Sequence, residues 1–233
     1  MSSGGFPLAN SILSGQGLTR RVLARYRLSN PVRCYFLNPG LNDTYAVTAG
    51  TTSYILRVYR HGWRTKGQIQ AELDMLTYLR KHKLPVSHPI PRRDNSYLTR
   101  ISAPEGVRYA ALFTHAAGRP IELNQENSRA YGKLLARIHT CLDSRPEDPR
   151  RFHLDLEYLV DAPLRYVEPY LADRGEDLDY LQRVGSELKS RLDGLLPVAR
   201  PEYGCCHGDH YGGNVHMDGT GLMTAFDFDC YGY

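Results

Sequence analysis

The sequence predicts an α+β protein: a small antiparallel sheet with one helix in the first half and a mostly α-helical second half. Short β-type runs separated by turn residues fill most of residues 32–115, and helical periodicity dominates from residue 125 onward. Apolar and charged residues, 42% and 23% of the chain, are mixed along its length, which is typical of a globular protein with a sizeable core. At 233 residues the chain fits one large domain or two lobes. We place the boundary after residue 114, with an N-lobe over 1–114 and a C-lobe over 115–233.

The first half contains a leading helix or two, broken by Gly15 and Gly17, then five strands and one long helix. Residues 6–28 have apolar positions at helical spacing, whereas 32–37, 44–49 and 53–59 are consecutive strands joined by turns rich in Gly, Asn and Thr. Residues 66–82 form an amphipathic helix with Ile69, Leu73, Leu76 and Leu79 on one face, and three prolines follow it. Residues 97–101 and 107–115 are predicted as two further strands, and 116–122 as a loop.

The second half is helical up to a C-terminal hairpin. Residues 128–142 and 181–196 each carry an apolar stripe of helical period. Residues 215–217 and 222–226 are short strands on either side of an Asp-Gly-Thr-Gly turn.

The distribution of charge and the cysteine content disfavour a nucleic-acid-binding protein and a disulfide-stabilised one. Up to residue 110 there are 16 Lys or Arg residues against 5 Asp or Glu, and the remainder has 13 against 20. The basic residues are dispersed, so a solvated basic face is favoured over nucleic-acid binding. The five cysteines are an odd number without framework spacing, which favours free thiols. With no apolar run of about 18 residues and no signal-like start, we expect a cytoplasmic protein without a membrane span.

The residues that indicate chemistry lie near the C-terminus. Asp209 and Asn214 are five apart in His-Gly-Asp-x-x-x-x-Asn, and Asp227 follows thirteen residues later. The predicted hairpin returns Asp227 to the side of Asn214, where two oxygen ligands suit a hard cation such as Mg²⁺, while a nearby carboxylate can accept a hydroxyl proton. A zinc site is disfavoured, because adjacent Cys205 and Cys206 on a strand point to opposite faces.

Together these motifs resemble the aminoglycoside phosphotransferase and choline kinase-like enzyme family, which has a protein-kinase-like bilobal fold. The resemblance rests on His207-Gly208-Asp209 with Asn214, on Phe226-Asp227, on Ile55-Leu56-Arg57-Val58-Tyr59, on Glu72, and on the helix segment 131–139. The catalytic loop is also similar to that of homoserine-kinase-type and stress-response kinases. In this family further helices follow the metal loop, so the resemblance implies a C-lobe truncated after Tyr233.

The resemblance implies a role for each matching residue. Asp209 is the expected catalytic base, Asn214 and Asp227 the Mg²⁺ ligands, and Arg57, paired with Glu72, the cation that binds the ATP phosphates. Arg60 is equally available from the sequence for that cation. Asn42 lies in the turn expected to cover the phosphates, and Phe113 and His115 lie in the segment expected to hold adenine.

The expected activity is ATP- and Mg-dependent transfer of the γ-phosphate to a hydroxyl group of a small molecule of amino sugar, amino alcohol or amino acid type. Eight acidic residues in 153–180 indicate a cationic acceptor, although a solvated acidic face also accounts for them. A homo-oligomer or a partner covering the shortened C-lobe is a further expectation. The alternatives are a Ser/Thr protein kinase of the stress-response type and a nucleotide-binding module without catalysis.

Overall fold

The computed structural model describes residues 8–122, 124–197, 199–200 and 202–233. The chain divides into two compact units: Met1–Tyr131 with Tyr211–Asp227, and Gly132–His210 with Phe228–Tyr233. The predicted leading helix over 6–28 is shorter than expected. Helix α1 spans Gly15–Arg21 and a 3₁₀ turn spans Leu23–Arg25, while residues 6 and 7 lie outside the described residues. The lobe boundary after residue 114 stays a prediction.

A five-stranded antiparallel sheet forms the centre of the first unit. Its strands are β1 (Val32–Asn38), β2 (Asp43–Ala49), β3 (Thr52–Val58), β4 (Thr99–Ala103) and β5 (Gly106–Thr114). Their order is β1-β2-β3-β5-β4, and every pairing is antiparallel. The predicted α+β class and the small antiparallel sheet are confirmed.

Helix α2 (Lys66–Lys81) lies between β3 and β4 in the chain, as predicted. Thr65 begins it with a reciprocal cap, because its side chain accepts from the Gln68 backbone while the Gln68 side chain accepts from the Thr65 backbone. The predicted apolar face is buried, and it includes Ile69, Leu73, Leu76 and Leu79. Burial of this face fixes which way the helix presents Glu72.

The strands alternate between the two faces of the sheet, with period two. One face packs against α1 in a buried cluster that contains Leu18 and Val22 from the α1 region and Tyr45, Leu56 and Leu112 from the strands. Arg57 lies between Leu56 and Val58, both in that cluster, so its side chain leaves β3 from the opposite face. We call these the α1 face and the Arg57 face.

A second, three-stranded sheet also belongs to the first unit. It consists of β6 (Arg119–Pro120), β7 (Val215–Met217) and β8 (Met223–Ala225), in that order. Sequence analysis predicted the last two strands and placed β6 in a loop. A strand of two residues has no detectable hydrophobic periodicity. Strand β6 forms because Gly118 lets the backbone approach β7 closely: a Cβ at Gly118 would lie 1.9 Å from the Met217 carbonyl oxygen.

The second unit is mostly helical, as predicted. Helix α3 (Gln125–Asp143) enters it from the first unit, and α4 (Ala162–Val167) and α5 (Gly175–Leu192) follow. Helix α5 starts six residues earlier than predicted and ends before residue 196, because Asp193 leaves the helical conformation and Gly194 has φ +70°. Among the helices of the described residues, none has the length and apolar composition needed to cross a membrane.

Candidate active site

Arg57 and Glu72 form an ion pair on the Arg57 face. The Nη1 atom of Arg57 lies 2.7 Å from Oε1 of Glu72, and the Tyr59 hydroxyl donates to Oε2 at 3.0 Å. Glu72 is only 1% exposed, and a buried carboxylate is tolerated only when it is paired and hydrogen-bonded. Helix α2 and strand β3 therefore hold the Arg57 guanidinium in a defined position.

The second arm of the same guanidinium reaches Asp227. Nη2 of Arg57 lies 2.8 Å from Oδ1 of Asp227, whose side chain is 48% exposed. Asp227 has φ +64°, a left-handed conformation that non-glycine residues rarely adopt and that is found at functional positions. One planar group thus joins a buried carboxylate to an accessible one.

The β7–β8 hairpin brings Asn214 and Asp227 to the same end of the second sheet. Val215 pairs with Ala225, and the Phe226 backbone donates to the Asn214 carbonyl at 3.0 Å. The Asp218 carboxylate closes the turn by accepting from Thr220 and Leu222. The backbone pairing of the hairpin therefore places Asp227 beside Asn214, as predicted.

The oxygens of Asn214 and Asp227 suit a hard divalent cation that completes its coordination with phosphate oxygens and water. Asn214 is buried at 5% exposure, so its orientation is restricted by the surrounding protein. Within residues 8–122, 124–197, 199–200 and 202–233, no three His, Cys, Asp or Glu side chains are grouped to hold a metal ion. The chemistry of the pair fits a cation shared with a phosphorylated ligand.

Asp209 belongs to the second unit and lies on an exposed loop. Buried residues pack against this loop and restrict its conformation. The Asp209 backbone donates to Nδ1 of His207 at 3.3 Å, and the buried His207 ring packs on Phe228 with centroids 4.2 Å apart. Gly208 has φ +77°, and a Cβ there would lie 2.1 Å from the Cys230 carbonyl oxygen. The loop therefore requires glycine immediately before Asp209.

His210 is the titratable neighbour of this loop. Burial lowers its pKa to about 4, and the adjacent His207 and His139 contribute in the same direction. The His207 and His210 rings stack with centroids 4.5 Å apart. At neutral pH the His210 imidazole is uncharged, so it adds no positive charge next to Asp209.

Arg60 and Asn42 are engaged with the turn that joins β1 and β2. The Arg60 backbone donates to Oδ1 of Asn42 at 3.2 Å, and its guanidinium donates to the Gly40 carbonyl at 2.9 Å. Arg60 therefore stabilises this turn, while Arg57 holds Glu72. The structure distinguishes two arginines that the sequence left equivalent.

Phe113 and His115 lie at the end of β5. The Phe113 ring is buried, and the Arg57 guanidinium lies 5.1 Å from its centroid. Thr114 donates its N–H to the His88 carbonyl, and its own carbonyl accepts from Ser87. In the part of the chain that the structure describes, the His115 carbonyl and the Ala116 N–H make no hydrogen bond. These two groups are available to a planar ligand with donor and acceptor edges.

The structure thus brings Arg57, Glu72 and Asp227 into direct contact, places Phe113 against Arg57, and aligns Asn214 with Asp227 through the hairpin. Asn42 and His115 lie in the same unit without a direct contact to Arg57, and Asp209 lies in the other unit. Tyr59, which donates to Glu72, was not among the site residues predicted from the sequence. Its position two residues after Arg57, on the same face of the strand, was the available signal.

The acidic segment 153–180 is partly neutralised within the second unit. Glu157 pairs with Arg165, Asp177 with Arg174, and Asp161 with Lys189. Three of the eight carboxylates are therefore satisfied internally, which reduces the negative charge available to a cationic acceptor.

Comparisons with known proteins identify the family to which the chain is similar. The sequence model of the phosphotransferase enzyme family matches residues 37–233. An uncharacterized protein of Synechocystis sp. is 35% identical over 226 residues, 96% of this chain and 62% of that protein. An uncharacterized protein of Deinococcus radiodurans is 35% identical over 231 residues, 99% and 66% of the two chains. The chain therefore spans slightly less than two thirds of the length of these relatives.

Three further matches carry functional names. A homoserine kinase of Paraburkholderia phytofirmans is 26% identical over 119 residues, 50% of this chain and 34% of that protein. The structure of an amicoumacin kinase in complex with AMP-PNP, Ca²⁺ and Ami superposes with a TM-score of 0.73 at 25% identity, covering 94% of this chain and 65% of that one. A microcompartment-associated aminopropanol kinase superposes with a TM-score of 0.68 at 24% identity over 93% and 70%, which shows a shared fold.

Proposed function

We propose that this chain, which belongs to the phosphotransferase enzyme family, transfers the γ-phosphoryl group of ATP to a hydroxyl group of a small molecule. The observation that supports this best is the Arg57 guanidinium, which holds the buried Glu72 at 2.7 Å and the exposed Asp227 at 2.8 Å. A fixed cation beside an accessible carboxylate is what binding of a metal-complexed triphosphate requires.

Each residue has one task in this proposal. Glu72 and Tyr59 orient Arg57, whose Nη2 arm is the donor for a phosphate oxygen. Asn214 and Asp227 hold Mg²⁺, which supplies charge neutralisation on the phosphates when bound. The His115 carbonyl and the Ala116 N–H bind the adenine edge, and the turn containing Asn42 covers the phosphates.

Asp209 is assigned the base role because of its place in the His-Gly-Asp-x-x-x-x-Asn sequence. Its carboxylate accepts the proton of the acceptor hydroxyl as the new P–O bond forms, and the bond between the γ-phosphorus and the β–γ bridging oxygen breaks to release ADP. The neutral His210 beside it leaves the carboxylate charge uncompensated by a histidinium. The acceptors to test first are amino sugars, amino alcohols and hydroxy amino acids, a set that includes the classes named for the similar kinases.

The test is ADP release by the 233-residue protein with Mg²⁺ and ATP against a panel of these three acceptor classes. Replacement of the base, Asp209→Asn, is expected to lower turnover by about 10²–10⁴-fold. Asp193→Asn, an exposed aspartate of the same unit, is the matched control and should leave turnover unchanged. Turnover in Asp209→Asn within about tenfold of the parent contradicts the base assignment.

A thermal unfolding scan separates binding from transfer. Mg·ATP at about a hundred times its dissociation constant should stabilise the protein by about 2.7 kcal/mol and raise the unfolding midpoint by about 5–10 °C, in the parent and in Asp209→Asn alike. A rise without turnover on any acceptor favours a nucleotide-binding module. Labelled phosphate that enters protein rather than the small-molecule fraction favours a protein kinase.

A further inference from the structure

A polar cavity lies on the first unit, between the α1 region and strand β4. Its volume is about 560 Å³, within the range of small-molecule sites, and it is lined by nine residues of the segment 13–25 and by residues 99–102. Four arginines border it, Arg20, Arg21, Arg25 and Arg100, together with hydroxyl-bearing side chains and apolar ones. None of these arginines was assigned a role by the sequence motifs.

No carboxylate neutralises these four arginines among the described residues. Each of the five acidic side chains that precede residue 110 is already engaged elsewhere, in an ion pair or a hydrogen bond: Asp43, Glu72, Asp74, Asp94 and Glu105. Arg25 donates its Nε to the Arg21 carbonyl, which leaves its terminal nitrogens to the cavity. Arginine stays charged at any physiological pH, so this cavity concentrates four positive charges.

The cavity is separate from the candidate active site. Ile101 and Leu18 line it and also belong to the cluster on the α1 face of the sheet. Arg57, by contrast, leaves β3 from the opposite face, where it meets Glu72. The five-stranded sheet therefore lies between the part of the cavity that the α1 region lines and the Arg57–Glu72 pair, while Arg100 borders the cavity from the edge strand β4.

We propose that this cavity binds a small phosphate monoester with an apolar body. A dianionic phosphate can accept hydrogen bonds from several guanidinium groups at once. Its negative charge also reduces the electrostatic repulsion between the arginines. The exposed Ser14 and Ser102 add hydroxyl donors, and Leu18, Val22 and Ile101 provide an apolar wall for the rest of the ligand. A monocarboxylate would neutralise only one of the four charges.

The first experiment is calorimetric titration of the 233-residue protein with phenyl phosphate at low ionic strength and about pH 7.5, where the monoester is largely dianionic. Inorganic phosphate, which lacks the apolar body, should bind more weakly, and phenol should not bind. The double variant Arg20→Glu/Arg25→Glu, in the α1 region, should weaken phenyl phosphate binding at least about tenfold, since each lost charge-assisted bond accounts for that factor. Higher salt should also weaken binding in the parent.

The matched control is Arg27→Glu/Arg33→Glu. These two arginines are exposed in the same unit but do not line the cavity, and the change in net charge is identical. Their replacement should leave the affinity within about twofold, because long-range attraction between exposed charges is screened. Equal loss of binding in both double variants, or no loss in either, overturns the proposal.

Arginine labelling localises the ligand without relying on a variant that folds. Phenylglyoxal modifies accessible guanidinium groups, and phenyl phosphate at about ten times its dissociation constant should slow modification about tenfold at the four cavity arginines, since about nine tenths of the sites are then occupied. Arg27 and Arg33 should react as fast as before. Protection at Arg57 alone would assign the binding to the candidate active site and overturn the cavity proposal.

Discussion

Arg108 and Arg57 lie on neighbouring strands of the same sheet, and both form ion pairs. They differ in how far their carboxylate partners are exposed to solvent, and this difference distinguishes a structural ion pair from one that a ligand can reach. Arg108 in β5 is fully buried, and its five N–H groups donate to Asp43, to Glu105 and to the carbonyls of Ser11, Val58 and Tyr59. Arg57 in β3 is 11% exposed and holds the buried Glu72 and the half-exposed Asp227.

The two groups lie on opposite faces of the sheet. Arg108 lies on the same face of β5 as Ala110 and Leu112, both in the cluster on the α1 face. Arg57 lies between Leu56 and Val58, which belong to that cluster, and therefore leaves β3 from the opposite face. In the Arg108 group the side chains of Asp43 and Glu105 are only 2% exposed, so removing their cation would leave desolvated charges. In the Arg57 group Asp227 can exchange Arg57 for a cation at little desolvation cost. Similar pairing chemistry therefore supports the fold on one face and the proposed nucleotide site on the other.

The largest expected effect is on stability, when Arg108 is replaced. Arg108→Met leaves Asp43 and Glu105 buried without their cation and should lower the free energy of unfolding by about 3–5 kcal/mol. Arg57→Met should cost less, about 1–3 kcal/mol, because Tyr59 still donates to Glu72 and Asp227 is exposed. Urea unfolding of both variants checks the difference.

The control for that comparison is Arg33→Met, an exposed arginine of β1, which should change the free energy of unfolding by less than about 0.5 kcal/mol. An equal or greater loss in Arg57→Met than in Arg108→Met would show that exposure does not distinguish the two groups.

The next effect is on ligand binding, and Asp94 provides a matched carboxylate. Arg92–Asp94 and Arg57–Asp227 have the same 2.8 Å separation and similar exposure, 14% and 56% against 11% and 48%. Asp227→Asn and Asp94→Asn should each leave stability nearly unchanged, as is usual for exposed ion pairs. Only Asp227→Asn should weaken Mg·ATP binding, at least about tenfold, because a metal ligand loses its charge.

Calorimetric titration of Mg·ATP into both variants measures this difference. Equal affinities of Asp227→Asn and Asp94→Asn for Mg·ATP would show that Asp227 is not part of the nucleotide site. The predicted difference in stability between Arg108→Met and Arg57→Met would be unaffected.

Periodicity predicted the elements that are long or regularly patterned. Helix α2 and strands β1, β2 and β3 occur where apolar spacing placed them, and the hairpin after Asn214 follows from a turn with two glycines. Those elements set the backbone positions of Arg57, Glu72 and Asp227, which explains why these motif residues come into contact in the structure.

Tertiary contacts were less accessible to sequence analysis. The choice between Arg57 and Arg60 depends on which side chain meets α2, and Arg60 instead bonds the Gly40 carbonyl. Strand β6 has two residues and no period of its own. The arginine-lined cavity joins segments some 80 residues apart, and dispersed arginines gave no local signal for it.

The smallest expected effect is the pH dependence of the Arg108 group through Glu105. Burial acts to raise the pKa of Glu105, but hydrogen bonds from Ser11 and the nearby Arg108 outweigh it and lower the pKa below its ordinary value of 4.5. The unfolded chain therefore binds this proton at a higher pH than the folded protein does. The stabilisation is complete above about pH 4.5 and is lost as the pH falls through the folded pKa.

Glu105→Gln removes this contribution, so its stability should fall less than that of the parent between pH 7 and about pH 3.5, by a margin below about 1 kcal/mol. Urea unfolding at the two pH values measures the margin, with Glu122→Gln, an exposed carboxylate of the same unit, as the control. The control should follow the parent. If Glu105→Gln also follows the parent, the Arg108 group keeps its strength when Glu105 is protonated, and its stability then rests on Asp43 and the backbone carbonyls rather than on both carboxylates.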